Sequence, residues 1–73
     1  MNNKYFDQLK ENVQLVIDLI AARNYVQAAV QHRHTGDLLD EILDYTAADD
    51  DLIEISRFQS LLNQLQLRIS SAG

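Results

Sequence analysis

The sequence contains no cysteine and no proline, and its two glycines are Gly36 and Gly73. Without cysteine, the chain has neither disulfides nor thiolate metal ligands to stabilise a small core. Without proline and with so little glycine, it lacks the turn residues that separate the strands of a β-sheet protein. These absences argue against an all-β fold and against a fold held together by cross-links.

Motifs of catalysis are also missing. The sequence has no glycine-rich phosphate loop and no G-x-S-x-G nucleophile motif. General acid–base catalysis needs a titratable group in a desolvated pocket, which a chain of 73 residues seldom encloses. We therefore expect that the protein is not an enzyme and uses no cofactor.

Long hydrophobic runs are absent as well. No apolar run approaches the roughly 20 residues that a membrane-spanning helix needs. The N-terminus also lacks the basic stretch followed by an apolar run that a secretory signal requires. We expect a cytoplasmic protein without membrane contact, folded as one domain over residues 1–73.

Charge of one sign is concentrated in one segment. From Asp37 to Glu54 there are eight acidic residues and no Lys or Arg, whereas the rest of the chain carries three acidic and six basic residues. The segment therefore holds −8 and the remainder +3, which gives the net charge of −5. Such acidity opposes binding to nucleic acid and favours a basic protein partner.

Apolar residues recur at helical spacing along most of the chain. The first helix is predicted from Tyr5 to Arg23, on a seam of Phe6, Leu9, Val13, Val16 and Ile20. Asn24 either ends this helix in the left-handed conformation or begins the next one, with Gln27 completing a capping box. Both alternatives leave a short connection, which predicts an antiparallel helical hairpin.

The second segment, residues 25–45, has apolar ends and a polar middle around Gly36. It is either one helix or two short helices broken near Gly36. We favour one helix, because its apolar residues lie on roughly one face on both sides of the polar middle. That face contains His32 and the apolar residues Tyr25, Ala28, Leu39, Ile42 and Leu43.

Residues 46–50 are predicted as a loop, followed by a capping box of Asp51 and Glu54. The last helix then carries a heptad seam of Leu52, Ile55, Phe58, Leu62, Leu65 and Ile69. The predicted fold class is therefore all-α, an elongated antiparallel three-helix bundle made of a helical hairpin and a third helix.

Metal sites find weak support. His34, Asp37 and Glu41 share one side of the predicted helix, but a fourth ligand is missing, and an Arg33–Asp37 ion pair explains that polar face equally well. Asp49, Asp50 and Asp51 lack the alternation and the glycine of a calcium loop. We expect no bound metal.

Apolar residues beside the main seams are numerous enough to cover a partner as well as a core; they are Leu15, Leu19, Ile53, Leu61 and Leu67. We expect the last helix to supply the apolar contacts of a binding surface, through Leu61, Leu62, Leu65 and Ile69. The acidic segment would steer a basic partner toward it, through Asp40, Asp44, Asp49, Asp50 and Asp51.

A family resemblance gives this expectation a context. The stretch VIDLIAARNY (residues 16–25), then Ala28, Ala29 and Arg33, LLDEIL (residues 38–43), an acidic loop and a leucine-rich last helix resemble the FliT-type flagellar export chaperones. The resemblance runs from Val16 to Ile69. It implies a cytoplasmic helical chaperone that holds an export substrate, typically the filament-cap protein, by taking an amphipathic helix into an apolar groove.

Two other functions remain open from the sequence. An acidic inhibitor or nucleic-acid mimic would block a basic protein surface through Asp49, Asp50 and Asp51, so neutralising those residues would abolish binding. A structural homodimer would bury the leucines of the last helix against a second copy. A chaperone would instead lose its substrate when Leu61 and Leu65 become polar.

Overall fold

The computed structural model describes residues 4–72, which form three α-helices and no strand: α1 (Lys4–Ala21), α2 (Tyr25–Tyr45) and α3 (Asp49–Ala72). Met1, Asn2, Asn3 and Gly73 lie outside the described residues. Consecutive helices run antiparallel, and the bundle measures 37 × 18 × 15 Å. Helix α2 packs against both neighbours, whereas α1 and α3 approach each other least. The all-α, elongated three-helix architecture predicted from the apolar spacing is confirmed.

The core contains one apolar face from each helix. Its buried hydrophobic residues are Phe6, Leu9, Val13, Val16, Ala28, Leu39, Ile42, Ile55, Phe58, Leu62, Leu65 and Ile69. The rings of Phe6 and Phe58 stack between α1 and α3, with centroids 6.4 Å apart and planes 10° from parallel. The predicted seams of α1 and α3 therefore face inward, except that Ile20 is half-buried and Leu52 is exposed.

Helix α2 is continuous through Gly36, as the shared apolar face predicted. Two residues of this helix differ from expectation. Leu43 is exposed, whereas Thr35 is fully buried. The Thr35 hydroxyl donates to the Gln31 carbonyl oxygen one turn earlier at 2.7 Å, so its burial leaves no unsatisfied polar group.

Two polar contacts join α2 to its neighbours. The Gln31 side-chain amide donates to Asn12 Oδ1 on α1 at 2.6 Å. Since a carbonyl oxygen can only accept, the His32 ring donates its Nε2–H to the Leu62 carbonyl oxygen on α3, at 2.7 Å. These bonds set the register of the helices along the bundle axis, which apolar contact alone specifies less sharply.

The first connection is a Schellman motif. Arg23 adopts the left-handed conformation with φ of 60°, and its amide donates to the Ile20 carbonyl at 2.9 Å. The Asn24 amide donates to the Leu19 carbonyl at 2.8 Å. This bond pair is the one that closes a helix at a left-handed residue. Of the two alternatives for Asn24, the left-handed end of α1 is therefore wrong, because the turn places Arg23 at that position.

Asn24 instead begins α2. Its carbonyl oxygen accepts the first helical hydrogen bond from the Ala28 amide at 2.9 Å, while its side chain makes no capping bond. The capping box with Gln27 therefore does not form.

The second connection is shorter than predicted. Helix α3 begins at Asp49, so only residues 46–48 form the loop. The Leu52 amide donates to the Ala48 carbonyl at 3.0 Å, which places Asp51 inside the first turn rather than at the cap. The expected capping box is wrong for that reason. The Asp carboxylates of this turn interact favourably with the positive end of the helix dipole instead.

Gly36→Ala is expected to stabilise the protein. An added Cβ meets no atom within 4 Å, and Ala is favoured over Gly inside a helix by roughly 0.5–1 kcal/mol. Thermal unfolding followed by circular dichroism should show a higher Tm than the parent chain. A lower Tm would contradict the continuous α2 described above.

Arg23→Gly is also expected to stabilise the chain, by up to about 1 kcal/mol, because glycine adopts a positive φ without the clash that Cβ creates. Chemical denaturation measures the change. Ala22→Gly is the matched control: among the described non-glycine residues only Arg23 has a positive φ, so glycine at position 22 should destabilise. Equal effects of the two substitutions would rule out the left-handed turn as the cause.

Candidate functional site

A groove of about 610 Å³ lies at the end of the bundle where the loop joins α2 to α3. Helix α1 contributes its first turns, α2 its last two turns, and α3 one residue. We call this cavity the loop-end groove; its lining residues are Tyr5, Gln8, Leu38, Glu41, Ile42, Tyr45, Thr46, Ala47, Ala48 and Asp51.

The groove combines an apolar floor with aromatic and acidic walls. Ile42 is buried and Leu38 half-buried, and both pack into the core below the groove. Tyr5 and Tyr45 are 45% and 81% exposed, so their rings stand open to solvent. Among the described lining residues Glu41 and Asp51 carry negative charge and none carries positive charge. The groove therefore suits a ligand that is both apolar and cationic.

Helical spacing places these groups together. Glu41 and Tyr45 are four residues apart, so they lie on the same side of α2, next to the inward-facing Leu38 and Ile42. Thr46 leaves the helix in an extended conformation, with φ −95° and ψ 128°, and turns the chain across the end of the bundle. The three-residue loop then brings Asp51 to the same end.

Walls of tyrosine rings and carboxylates over an apolar floor can bind lysine and arginine side chains. Lysine and arginine side chains lay their methylene groups on apolar surface while their charged heads remain accessible. A tyrosine ring attracts a cation placed over its face, and a nearby carboxylate adds charge-assisted hydrogen bonds. The Thr46 hydroxyl already donates to the Ile42 carbonyl oxygen at 2.8 Å, so its proton is engaged within the protein.

Most of the predicted acidic residues lie outside the groove. Of the five, only Asp51 is a lining residue, whereas Asp40, Asp44, Asp49 and Asp50 are exposed and do not line it. Asp50 and Asp51 also border a shallow depression of about 400 Å³ shared with Asp7, Lys10 and Glu54. These carboxylates contribute a negative field at one end of the molecule.

The predicted leucine surface lies elsewhere. Leu62, Leu65 and Ile69 are 1%, 5% and 9% exposed and form part of the core. Of the four apolar residues expected to bind, Leu61 is the most accessible, half-buried against the core. Leu65 joins it in lining a shallow cavity between α3 and α1.

Nine of the ten lining residues were not among the predicted binding residues, and Tyr5, Glu41 and Tyr45 are the ones that give the groove walls their aromatic and acidic character. The sequence did contain a feature that could have identified Tyr45 as a binding residue, since it directly follows an acidic residue and ends the second apolar segment. Tyr5, 40 positions away, carries no such signal.

Metal ligation finds no support in the described part of the chain. Within residues 4–72, no three His, Asp or Glu side chains are grouped so that they could hold a metal ion. His34, Asp37 and Glu41 are exposed on α2. Arg33 and Asp37, both described, form no ion pair; Arg57 and Glu54 form one at 3.5 Å on the surface of α3.

No helix in residues 4–72 has the length and apolar character to cross a bilayer. In comparisons with known proteins, no family model, curated protein or solved structure gives a significant match to the chain.

Leu62→Ala is expected to cost about 2–5 kcal/mol of unfolding free energy, because Leu62 is 1% exposed and its removal leaves a cavity in the core. Leu15→Ala is the matched control on the surface, where Leu15 is 49% exposed and the loss should stay below about 1 kcal/mol. Urea denaturation compares the two variants. Similar small losses for both would place Leu62 outside the core.

Proposed function

We propose that this protein is a small acidic binding module that holds a basic, partly apolar segment of another protein in the loop-end groove. The observation that supports it most directly is the composition of the groove walls. Two exposed tyrosines and two carboxylates stand over an apolar floor, with no cation among the described lining residues. A segment carrying both leucine-like and lysine-like side chains complements all three features at once.

The surrounding charge supports the same partner. Six of the eight acidic residues between Asp37 and Glu54 are exposed, and the other two, Asp51 and Glu54, are half-buried. Exposed charges attract an oppositely charged partner over about 8–10 Å at physiological salt. Such attraction increases the association rate more than the final affinity. The contacts in the groove would then supply most of the binding affinity.

An amphipathic helix is the form of segment we propose. A helix lays its apolar side into a groove and keeps basic residues at the edges, where the carboxylates lie. A chain disordered on its own would pay the entropy of ordering on binding, which suits reversible holding of a client.

The resemblance to FliT-type chaperones extends the proposal to a cytoplasmic flagellar export chaperone. In that role the basic, apolar segment belongs to an export substrate such as the filament-cap protein. This extension rests on the resemblance alone, and the groove supports only the broader role of a protein-binding module.

Two synthetic helical peptides test the proposal; both carry leucines at i, i+3, i+4 and i+7, and they differ only in flanking lysines or flanking glutamates. Titration of the isotope-labelled protein should shift the amide resonances of residues 45–48, Tyr5 and Glu41 with the lysine peptide, because these residues line the groove or join it. The glutamate peptide should cause no comparable shift. Rising salt should weaken the lysine complex.

Glu41→Lys should raise the Kd of the lysine peptide about tenfold, equivalent to about 1.4 kcal/mol. Asp37→Lys is the matched control, since Asp37 is exposed on the same helix and does not line the groove. Equal losses from both variants would replace the groove with a general acidic surface, as in an inhibitor or nucleic-acid mimic. Binding of both peptides with equal affinity would refute the proposal.

A further inference from the structure

The surface of α3 that faces away from α2 carries two shallow cavities that share Leu61 and Gln64. One, of about 270 Å³, lies between α3 and α1 and includes Ile17. The other, of about 390 Å³, runs along α3 and includes Ile53 and Ser60. We call the outer α3 face the set of α3 residues Ile53, Arg57, Ser60, Leu61, Gln64 and Arg68, which line these two cavities, together with Glu54 and Leu67, which are next to them in sequence.

Large apolar side chains stand exposed near both ends of this face. Ile53 and Leu67 are 54% and 68% exposed. With Ser60 they recur every seven residues, so they share one line along the helix. A bundle helix needs one apolar stripe toward its core. In α3 this stripe consists of Ile55, Phe58, Leu62, Leu65 and Ile69. The second line, with Ile53 and Leu67 more than half exposed, lies outside that core.

The charges on the face are arranged with opposite signs at its two ends. Glu54 lies one turn after the start of α3 and Arg68 one turn before its end. Between them the polar residues of the face are uncharged apart from Arg57, which pairs with Glu54 through a long, exposed contact of 3.5 Å. An exposed pair of this kind contributes little, so Glu54 remains able to exchange partners.

We infer that a second copy of this chain covers the outer α3 face, in an isologous dimer whose two α3 helices pack antiparallel. Centred between Ser60 and Leu61, this pairing sets Ile53 within about one residue of Leu67 of the second copy. It also sets Glu54 within about one residue of Arg68 of the second copy. Two-fold symmetry repeats each contact, so both apolar residues and both opposite charges are matched twice.

The charges also select the direction of the pairing. In a parallel pair Arg68 would lie beside Arg68 of the second copy, and Glu54 beside Glu54. Like charges in register are destabilising, whereas the antiparallel arrangement brings opposite charges together. Arg57 would face the neutral Gln64 of the second copy in that arrangement. Charge complementarity thus points to a second copy of the chain as the occupant.

The size of the chain favours the same partner. A domain of 73 residues without disulfides buries only about 60% of its unfolded surface, and covering exposed apolar residues by association is a common remedy. Helix α3, with 24 residues, offers a contact about 36 Å long at 1.5 Å per residue. The outer α3 face shares no residue with the loop-end groove, so the dimer leaves that groove open.

Sedimentation equilibrium over about a hundredfold range of concentration tests the inference, and we expect the mass to rise from the monomer value of 8.3 kDa to twice that value. Arg68→Glu should weaken the dimer at least about tenfold. The double variant Glu54→Arg/Arg68→Glu should restore the Kd to within about threefold, because it exchanges the charges and keeps them paired.

Arg33→Glu is the matched control, since Arg33 is exposed on α2 outside the face and carries the same charge change. It should leave the dimer unchanged. A chain that stays monomeric throughout the series would overturn the inference. So would a double variant as weak as Arg68→Glu alone, or a control that weakens the dimer equally.

Cysteine cross-linking gives a second readout, which the absence of native cysteine makes clean. Ser60→Cys, near the proposed two-fold axis, should form a covalent dimer rapidly under mild oxidation. Ala29→Cys, exposed on α2, should not. Circular dichroism checks that both variants remain helical. Equal cross-linking rates for the two would overturn the antiparallel α3 pairing.

Discussion

Burial of one apolar face from each helix against the other two is the constraint on which the rest of the structure depends. Leu9, Leu39 and Leu62, one from each helix, are 0%, 1% and 1% exposed. Full burial of such a side chain contributes about 1.5–3 kcal/mol. No disulfide shares this task, and no buried side-chain polar atom in residues 4–72 lacks a hydrogen-bond partner. Hydrogen-bonding every buried polar group matters as much as apolar burial in a core this small. One unsatisfied buried group would cost a large fraction of the net stability.

The short connections between the helices concentrate negative charge at one end of the bundle. Because the α2–α3 loop spans residues 46–48, the last turn of α2 and the first turn of α3 meet at one end of the bundle. Most of the acidic residues lie in or beside those two turns, so their charges add at that end. The macrodipole of α3 tolerates three Asp residues in its first turn. The concentration of charge is thus compatible with a stable fold, and two of these carboxylates, Glu41 and Asp51, line the loop-end groove.

The two proposed surfaces differ in the kind of complementarity they offer. The loop-end groove is acidic and aromatic, so it requires a partner of opposite character. The outer α3 face carries Glu54 near one end and Arg68 near the other, so it complements itself when reversed. A dimer through α3 would hold two groove-bearing ends on one particle, which increases the effective concentration of the second site for a client with two basic segments.

The sequence by itself determined the three helices and most of their inward seams, and it favoured one continuous α2 over a break at Gly36, because apolar periodicity is a local property that helical geometry converts directly into a face. Only the tertiary structure decided that Arg23 takes the left-handed position and that Thr35 is buried. The first depends on how the Schellman bonds close the turn, and the second on which neighbour covers a polar residue. Tyr5 and Tyr45 share a groove because antiparallel packing brings together the ends of helices that are distant in sequence, and no local pattern encodes that contact.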